Sequence, residues 1–291
     1  MKKRITVLGT GRMGAVLALA FQAHGHTVTV WNRTAAKAAP LAAKGIHVAT
    51  SVEDAVADAE IVVGNLLDYA TTLAVLSPAA TAALRAGLFV QLATGTPRQA
   101  REMAAWARAK QIPYLDGAIM ATPDFIGQPG CTVLYSGPSE LFEPNVRALA
   151  ALGGNTLHVG AEIGHASALD AAVLVVLWAS LFGAWHAAAI CEAEGFPLPA
   201  LASTLAATMP VLDGSLKDTI ARITERRFAG DPTSAATADT CLASVRVIQE
   251  ISEEHGIHLG LSKALETIFS RAAAAGRGGD DVATVYQSMR G

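Results

Sequence analysis

The stretch that decides the fold is Ile5-Thr6-Val7-Leu8-Gly9-Thr10-Gly11-Arg12-Met13-Gly14, near the start of the chain. Residues 5–8 are typical of a short buried strand, and the GxGxxG pattern after them opens a helical stretch over residues 15–24. Gly9 permits a tight turn, Gly11 lets a pyrophosphate approach the backbone, and Gly14 lets the helix pack closely on the strand. The segment therefore predicts a dinucleotide-binding βαβ unit, with phosphates at the helix N-terminus.

Outward from this segment, strand and helix patterns alternate as far as about residue 160. Strands are predicted at 5–8, 27–31, 46–49, 61–65, 88–92, 112–116 and 132–136, and helices at 15–24, 35–44, 51–57 and 97–109. Helical stretches rich in alanine and leucine follow, interrupted at 195–197, at Gly214 and at 230–232. We predict an α/β fold with an N-terminal Rossmann doubly wound sheet (1–162), a long interdomain helix (163–192) and an all-helical substrate and dimerisation domain (193–291).

The composition excludes some classes of protein. The net charge of −3 gives no basic face for nucleic acid. Cys131, Cys191 and Cys241 are far apart and form no CxxC pair, so we expect reduced cysteines in a cytoplasmic protein with no metal site.

One uncharged segment, residues 171–191, is long enough to cross a bilayer. It lacks flanking basic residues and aromatic belts, so we predict no membrane span. We interpret it as a buried helix shared between domains or subunits.

The end of the second predicted strand indicates which dinucleotide binds. NAD-binding proteins usually place an acidic residue there to bond the ribose 2′-hydroxyl, whereas this chain has Asn32-Arg33-Thr34, with Lys37 a turn later. Arg33 can pair with a 2′-phosphate, to which Asn32 and Thr34 can donate hydrogen bonds. We therefore predict NADPH as the cofactor, the alternative being that Arg33 and Lys37 are only solvated.

Further cofactor contacts are expected where later strands end, at Leu66, Leu67 and Thr94. The whole predicted cofactor set is Gly9, Thr10, Gly11, Arg12, Met13, Gly14, Asn32, Arg33, Thr34, Lys37, Leu66, Leu67 and Thr94.

The glycine pattern resembles the GxGxMG motif of the β-hydroxyacid dehydrogenase superfamily. The superfamily's substrate segment, DxPVSGG, is matched by residues 116–122, without its serine and glycines. Its catalytic segment, GxGxxxK, is matched by residues 164–170, with Asp170 at the lysine position. Val173 and Leu174 replace the asparagine pair that normally follows.

This combination resembles the imine reductase and reductive aminase branch, in which the lysine position holds Asp or Tyr. The segments Trp31-Asn32-Arg33-Thr34, 117–127 and 276–281 are similar to that branch, while Trp178 stands where relatives often have Tyr. The resemblance covers essentially the whole chain. It implies NADPH-dependent reduction of an imine, or of a ketone with an amine, in a homodimer whose subunits exchange helical domains.

Asp170 is the predicted catalytic residue. A carboxylate at about 4 Å attracts an iminium ion by roughly 4 kcal/mol at an effective dielectric constant of about 20. If burial raises its pKa, the carboxyl can also deliver a proton as general acid, and the sequence leaves these two roles open. The alternative for Asp170 is a helix cap or first-turn acid. Candidate substrate-pocket residues are Met120, Leu174, Trp178, Met209, Leu212 and Thr240.

Two other functions stay open from the sequence. One is a β-hydroxyacid or aldehyde dehydrogenase that tolerates Asp170, against which the missing carboxylate-binding segment speaks. The other is a non-catalytic NADPH-binding regulator. The natural substrate and the stereochemistry of the product are also open.

Overall fold

A computed structural model describes residues 2–289 of the chain. The predicted domains 1–162 and 193–291 include Met1, Arg290 and Gly291, which lie outside the described residues. The chain divides into two compact units, Met1–Val175 and Val176–Gly291.

The first unit is built on one eight-stranded sheet with the order β3-β2-β1-β4-β5-β6-β7-β8. All neighbouring strands pair in parallel except β6 and β7, which are antiparallel. The strands are β1 (Arg4–Leu8), β2 (Thr27–Trp31), β3 (His47–Val48), β4 (Ile61–Gly64), β5 (Leu88–Gln91), β6 (Tyr114–Ile119), β7 (Thr132–Ser136) and β8 (Asn155–His158). The predicted doubly wound α/β class is confirmed, and β8 is an additional strand.

Helices connect most of these strands. They are α1 (Arg12–Ala23), α2 (Ala35–Ala42), α3 (Val52–Val56), α4 (Tyr69–Val75), α5 (Pro78–Ala83), α6 (Pro97–Ala109), α7 (Ser139–Phe142) and α8 (Val146–Leu149). Several begin at a side-chain cap. Thr96 and Gln99, for example, form a capping box at α6, which fixes where that helix starts.

Two main apolar clusters contain the buried side chains of the sheet. Ile5 and Val7 of β1 lie in one cluster with Phe21 of α1, whereas Leu8 lies in the other with Phe89 of β5. The strands are thus buried on both faces, as parallel sheets covered by helices require.

The second unit is helical, which confirms the predicted C-terminal fold class. Helix α9 (His165–Ala193) begins in the first unit and continues into the second, where α10 (Leu198–Glu225), α11 (Ala238–Glu254) and α12 (Gly260–Ala274) follow. The predicted interruption at Gly214 is wrong, because α10 continues through it. A glycine inside an exposed helix costs only about 1 kcal/mol relative to alanine, which a 28-residue helix tolerates.

The apolar stretch of α9 is not buried among the described residues, so of the two expected forms of burial for residues 171–191, between domains or between subunits, the second stays a prediction. Trp178 is 52% exposed, Phe182 55% and Trp185 54%. Among the described residues, α9 is the one helix whose length and composition would suit a membrane crossing. Its apolar residues face all sides of the helix, and several of the largest remain exposed among the described residues.

Candidate active site

The glycine loop between β1 and α1 leaves space where a ligand is expected. A Cβ on Gly9 would collide with the backbone oxygen of Asn65, and Gly9 has a φ of +101°, which favours glycine. A Cβ on Gly14 would collide with the backbone oxygen of Gly9. A Cβ on Gly11 would meet nothing within 4 Å. Gly9 and Gly14 therefore shape the loop, whereas Gly11 borders open space.

Helix α1 begins at this open space without a side-chain cap. Gly11 is its N-cap residue, and no side chain accepts from the first N–H groups. Free N–H groups at a helix N-terminus form a site for phosphate.

A cleft of about 610 Å³ opens at the carboxyl ends of β1, β2, β4 and β5. The chain runs to β2 on one side of β1 and returns to β4 on the other, which makes this the switch point of the sheet, where doubly wound folds bind ligands. The predicted cofactor residues that line the cleft are Gly9, Gly11, Arg12, Met13, Asn32, Arg33, Thr34, Lys37, Leu66, Leu67 and Thr94.

Thr10 and Gly14 do not line this cleft. Thr10 is 4% exposed, and its backbone N–H donates to Asn32 Oδ1 at 3.0 Å. Asn32 Nδ2 donates to the backbone oxygen of Thr34 at 2.9 Å. The amide of Asn32 therefore joins the glycine loop to the β2 loop through its oxygen and one N–H, and its second N–H is the donor left for a 2′-phosphate.

The cationic groups at this end of the cleft are Arg33 and Lys37, which are both exposed. No aspartate or glutamate of the described chain lines the cleft. A 2′-phosphate would meet Arg33, Lys37 and the hydroxyl of Thr34 with no nearby carboxylate to repel it, so the residues present fit NADPH.

Other lining residues were not predicted: Asn65, Thr71, Val75, Leu92, Ala93, Ile119 and Ala121. Most of them stand at or just after the ends of β4, β5 and β6, so strand ends were the signal that could have found them. Asn65 Nδ2 donates to the backbone oxygen of Leu92 at 3.1 Å and thereby links the ends of β4 and β5.

Asp170 lies on α9 and is 6% exposed. It is the sixth residue of the helix, beyond its first turn, so the alternative role of a helix cap is wrong. No donor among residues 2–289 bonds its carboxylate, and burial alone raises the pKa of this carboxyl above its ordinary value. A buried carboxyl that none of the described residues bonds is available to a ligand.

A buried polar cluster lies beside Asp170 on the same unit. Asp116, fully buried in β6, accepts hydrogen bonds from the hydroxyls of Tyr69 (2.6 Å), Tyr114 (3.1 Å) and Ser167 (2.8 Å). Ser167 precedes Asp170 by three residues on α9. Burial raises the pKa of Asp116, while the three hydrogen bonds act in the opposite direction. No local sequence pattern predicted this cluster.

The six predicted pocket residues are divided between the two units, and none lines the cleft. In the first unit, Met120 is half-buried against Ala118, Leu134 and Ala166, and Leu174 is half-buried on α9. In the second unit, Trp178, Met209, Leu212 and Thr240 are exposed. Within residues 2–289 there is no group of three or more metal-ligating side chains.

The fold and the cleft define a class: an α/β dinucleotide-binding oxidoreductase with a helical C-terminal domain. Residues 4–160 match the family described as the NAD binding domain of 6-phosphogluconate dehydrogenase. Residues 162–291 match the family described as NADPH-dependent reductive aminase-like, C-terminal domain.

Individual proteins agree with both matches. The chain is 30% identical to an NADPH-dependent reductive aminase of Aspergillus oryzae, over 100% of this chain and 98% of that protein. The imine reductase of Myxococcus stipitatus in complex with NADP+ superimposes with a TM-score of 0.95 at 44% identity, covering 99% of this chain and 100% of the other. The reductive aminase of Aspergillus terreus with NADPH and ethyl levulinate gives 0.92 at 33% identity, covering 100% of both chains.

The chain belongs to the imine reductase and reductive aminase family of NADPH-dependent oxidoreductases. The resemblance inferred from its sequence motifs is thereby confirmed, as is the predicted dependence on NADP(H).

Proposed function

We propose that this chain reduces imines and iminium ions to amines with NADPH, and that Asp170 is its catalytic residue. The observation that carries the proposal is the buried Asp170 carboxyl, which no described residue bonds. Relatives support the substrate class: Aspergillus terreus structures contain NADPH4 with cyclohexanone and allyl amine, or with dibenz[c,e]azepine. A cyclic imine, or a ketone together with an amine, is therefore the expected substrate.

The residues that would hold NADPH contact different parts of the cofactor. The open space at Gly11 and the uncapped start of α1 would accept the pyrophosphate. Arg33, Thr34 and Lys37 would bind the 2′-phosphate, and Thr94, in the loop after β5, would meet the nicotinamide end. When bound, the cofactor supplies a hydride from nicotinamide C4.

Asp170 supplies the charge or the proton that the nitrogen needs. An ionised carboxylate would stabilise an iminium ion by electrostatic attraction. A protonated carboxyl would deliver a proton to the nitrogen as general acid, and burial, which raises the pKa of this carboxyl, extends the protonated form to higher pH.

The exposed apolar helices support a homodimer with exchanged helical domains. On α10, Leu205, Met209, Leu212, Leu216 and Ile220 recur at helical spacing along one face, and each is at least 39% exposed. In the dimer, Met120 and Leu174 of one subunit would share a substrate pocket with residues corresponding to Trp178, Met209, Leu212 and Thr240 of the other.

Each predicted segment has a distinct role in this arrangement. Residues 1–162 bind NADPH, residues 163–192 connect the two domains, and residues 193–291 supply pocket and dimer contacts. With Cys131, Cys191 and Cys241 all free thiols, we propose a cytoplasmic location. The expected sedimentation behaviour at micromolar concentration is that of a dimer, and a monomer would contradict the exchange.

Asp170→Asn tests the catalytic assignment. With a cyclic imine and NADPH, we expect kcat to fall by about 10²- to 10⁴-fold, because the amide neither carries the charge nor delivers the proton. The KM for NADPH should not change. The matched control is Asp58→Asn, which removes an exposed acid of the same unit and should leave kcat unchanged. Full activity of Asp170→Asn would overturn the assignment.

The pH profile separates the two roles of Asp170. A proton donor must be protonated, so kcat would fall as the pH rises through the raised pKa. An electrostatic anchor must be ionised, so kcat would rise over the same interval.

Turnover of 3-hydroxyisobutyrate with NADP+ but not of imines would instead indicate a hydroxyacid dehydrogenase. Tight NADPH binding without any turnover would indicate a regulator.

A further inference from the structure

The cluster around Asp116 joins two segments that are far apart in the sequence. Asp116 belongs to residues 116–122, and Ser167 belongs to residues 164–170, which also contain Asp170. The Ser167 hydroxyl donates to Asp116 Oδ2 at 2.8 Å across 51 residues of sequence, and both side chains are buried. This hydrogen bond therefore links the two segments directly. Its donor, Ser167, precedes the proposed catalytic residue Asp170 by three residues.

Asp116 accepts hydrogen bonds from hydroxyl groups on three secondary-structure elements. Tyr69 is the first residue of α4, Tyr114 begins β6, and Ser167 lies in the first turn of α9. Burial and the neighbouring Asp116 raise the pKa of both tyrosines, so both hydroxyls stay protonated and continue to donate. A buried carboxylate with three donors is well satisfied and holds its donors in fixed positions.

The start of α9 is thus fixed from two strands. Ser167 is bound to Asp116 of β6, and the backbone N–H of Ala166 donates to Ser136 Oγ of β7 at 3.3 Å. Residues three apart on a helix lie on the same face, so the direction in which Asp170 projects depends on where Ser167 is held. Asp170 itself has no bonding partner among the described residues that could orient it.

We propose that Asp116 and Ser167 are positioning residues for Asp170: their hydrogen bond sets where the first turns of α9 present the Asp170 carboxyl. The proposal rests on the catalytic role of Asp170 proposed above. Neither Asp116 nor Ser167 contacts the substrate in this scheme. Their effect reaches the reaction only through the placement of Asp170, to which catalysis is sensitive at the scale of about 1 Å.

The test uses Ser167→Ala, because replacing Asp116 would leave three buried hydroxyls without an acceptor and endanger folding. We expect kcat for a cyclic imine to fall about tenfold, with the KM for NADPH unchanged. The matched control is Thr6→Val, which removes another buried hydroxyl of the first unit, bonded to the backbone oxygen of Ala55. Thr6→Val should lower the melting temperature by a similar amount and leave kcat unchanged.

A double-mutant cycle with Asp170→Asn separates the two proposals. If Ser167 acts through Asp170, adding Ser167→Ala to Asp170→Asn should change kcat by less than about twofold. An undiminished tenfold effect in that background would overturn the positioning role, as would a Ser167→Ala variant with the kinetics of Thr6→Val. Full activity of Asp170→Asn alone would instead overturn the proposed function.

Discussion

In the first unit, Met1–Val175, the buried apolar side chains form three clusters that include residues of β1, β2, β4, β5, β6 and β7. In the second unit, the buried apolar residues that the structure describes are Ala238, Leu242, Val245, Ala272 and Ala283. Large apolar side chains of α9 and α10 are instead exposed. The first unit thus builds its cofactor cleft from its own residues, whereas the second presents apolar surface that the described residues do not cover.

An ionic cluster gives the second unit part of its internal order. Arg222 is fully buried and pairs with Asp218 (2.8 Å), Asp231 (3.1 Å) and Asp281 (3.3 Å). These contacts link the end of α10 to the loop after it and to the C-terminal residues. The apolar stripe of α10, from Leu205 to Ile220, reaches the turn that contains this cluster and remains exposed.

The largest effect is expected from a charge placed on that stripe. Leu216→Arg should abolish dimer formation and lower kcat/KM for a cyclic imine more than about 100-fold, because an unpaired charge is costly to bury. Sedimentation and steady-state kinetics measure both quantities. The first unit is complete in one chain, so NADPH binding should persist in the variant.

The control introduces the same charge on the polar side of α10, where Ser203 is exposed. Ser203→Arg should remain dimeric and active. If Leu216→Arg were also a fully active dimer, the exposed apolar face of α10 would not be needed for dimer formation or for activity.

The parts of the fold that sequence predicted are those set by local patterns. The run of residues 5–14 contains the strand, the turn and the helix start together, so β1, the glycine loop and α1 could be placed. The strand β8 was missed because Asn155–His158 mixes polar and apolar residues and is only partly buried. The interruption at Gly214 was predicted from local propensity, which the rest of a long helix overrides.

The candidate site, too, has one part that local sequence patterns predict and another that they do not. Most residues that line the cleft follow strand ends, and eleven of the thirteen predicted cofactor residues are among them. The bonds of Asp116 to Tyr69 and Ser167 span 47 and 51 residues, and no local pattern reports them. The role of Asn32 also depended on the fold, because only the folded loop shows that Thr10 and Thr34 occupy both ends of its amide.

The second prediction concerns the cofactor cleft of the first unit. Arg33→Ala should raise the KM for NADPH about 10- to 100-fold, since a charge-assisted hydrogen bond contributes roughly 1.5–3 kcal/mol. The KM for NADH should change little, because NADH has no 2′-phosphate. Arg98→Ala serves as control, as Arg98 is exposed on α6 and pairs with Glu102 at 2.7 Å. Equal losses for the two cofactors would contradict 2′-phosphate binding by Arg33.

The smallest effect separates two glycines of the same loop. Gly11→Ala should leave the melting temperature unchanged and raise the KM for NADPH about three- to tenfold, because its methyl group enters only the open space beside α1. Gly14→Ala should instead destabilise the first unit by about 1–3 kcal/mol, because its methyl group would overlap the backbone of Gly9. Thermal unfolding and cofactor kinetics on both variants distinguish a glycine that is needed for cofactor binding from one that is needed for the stability of the fold. A destabilised Gly11→Ala would mean that the space beside α1 is needed by the chain itself, and the pyrophosphate site would have to be sought elsewhere along the cleft.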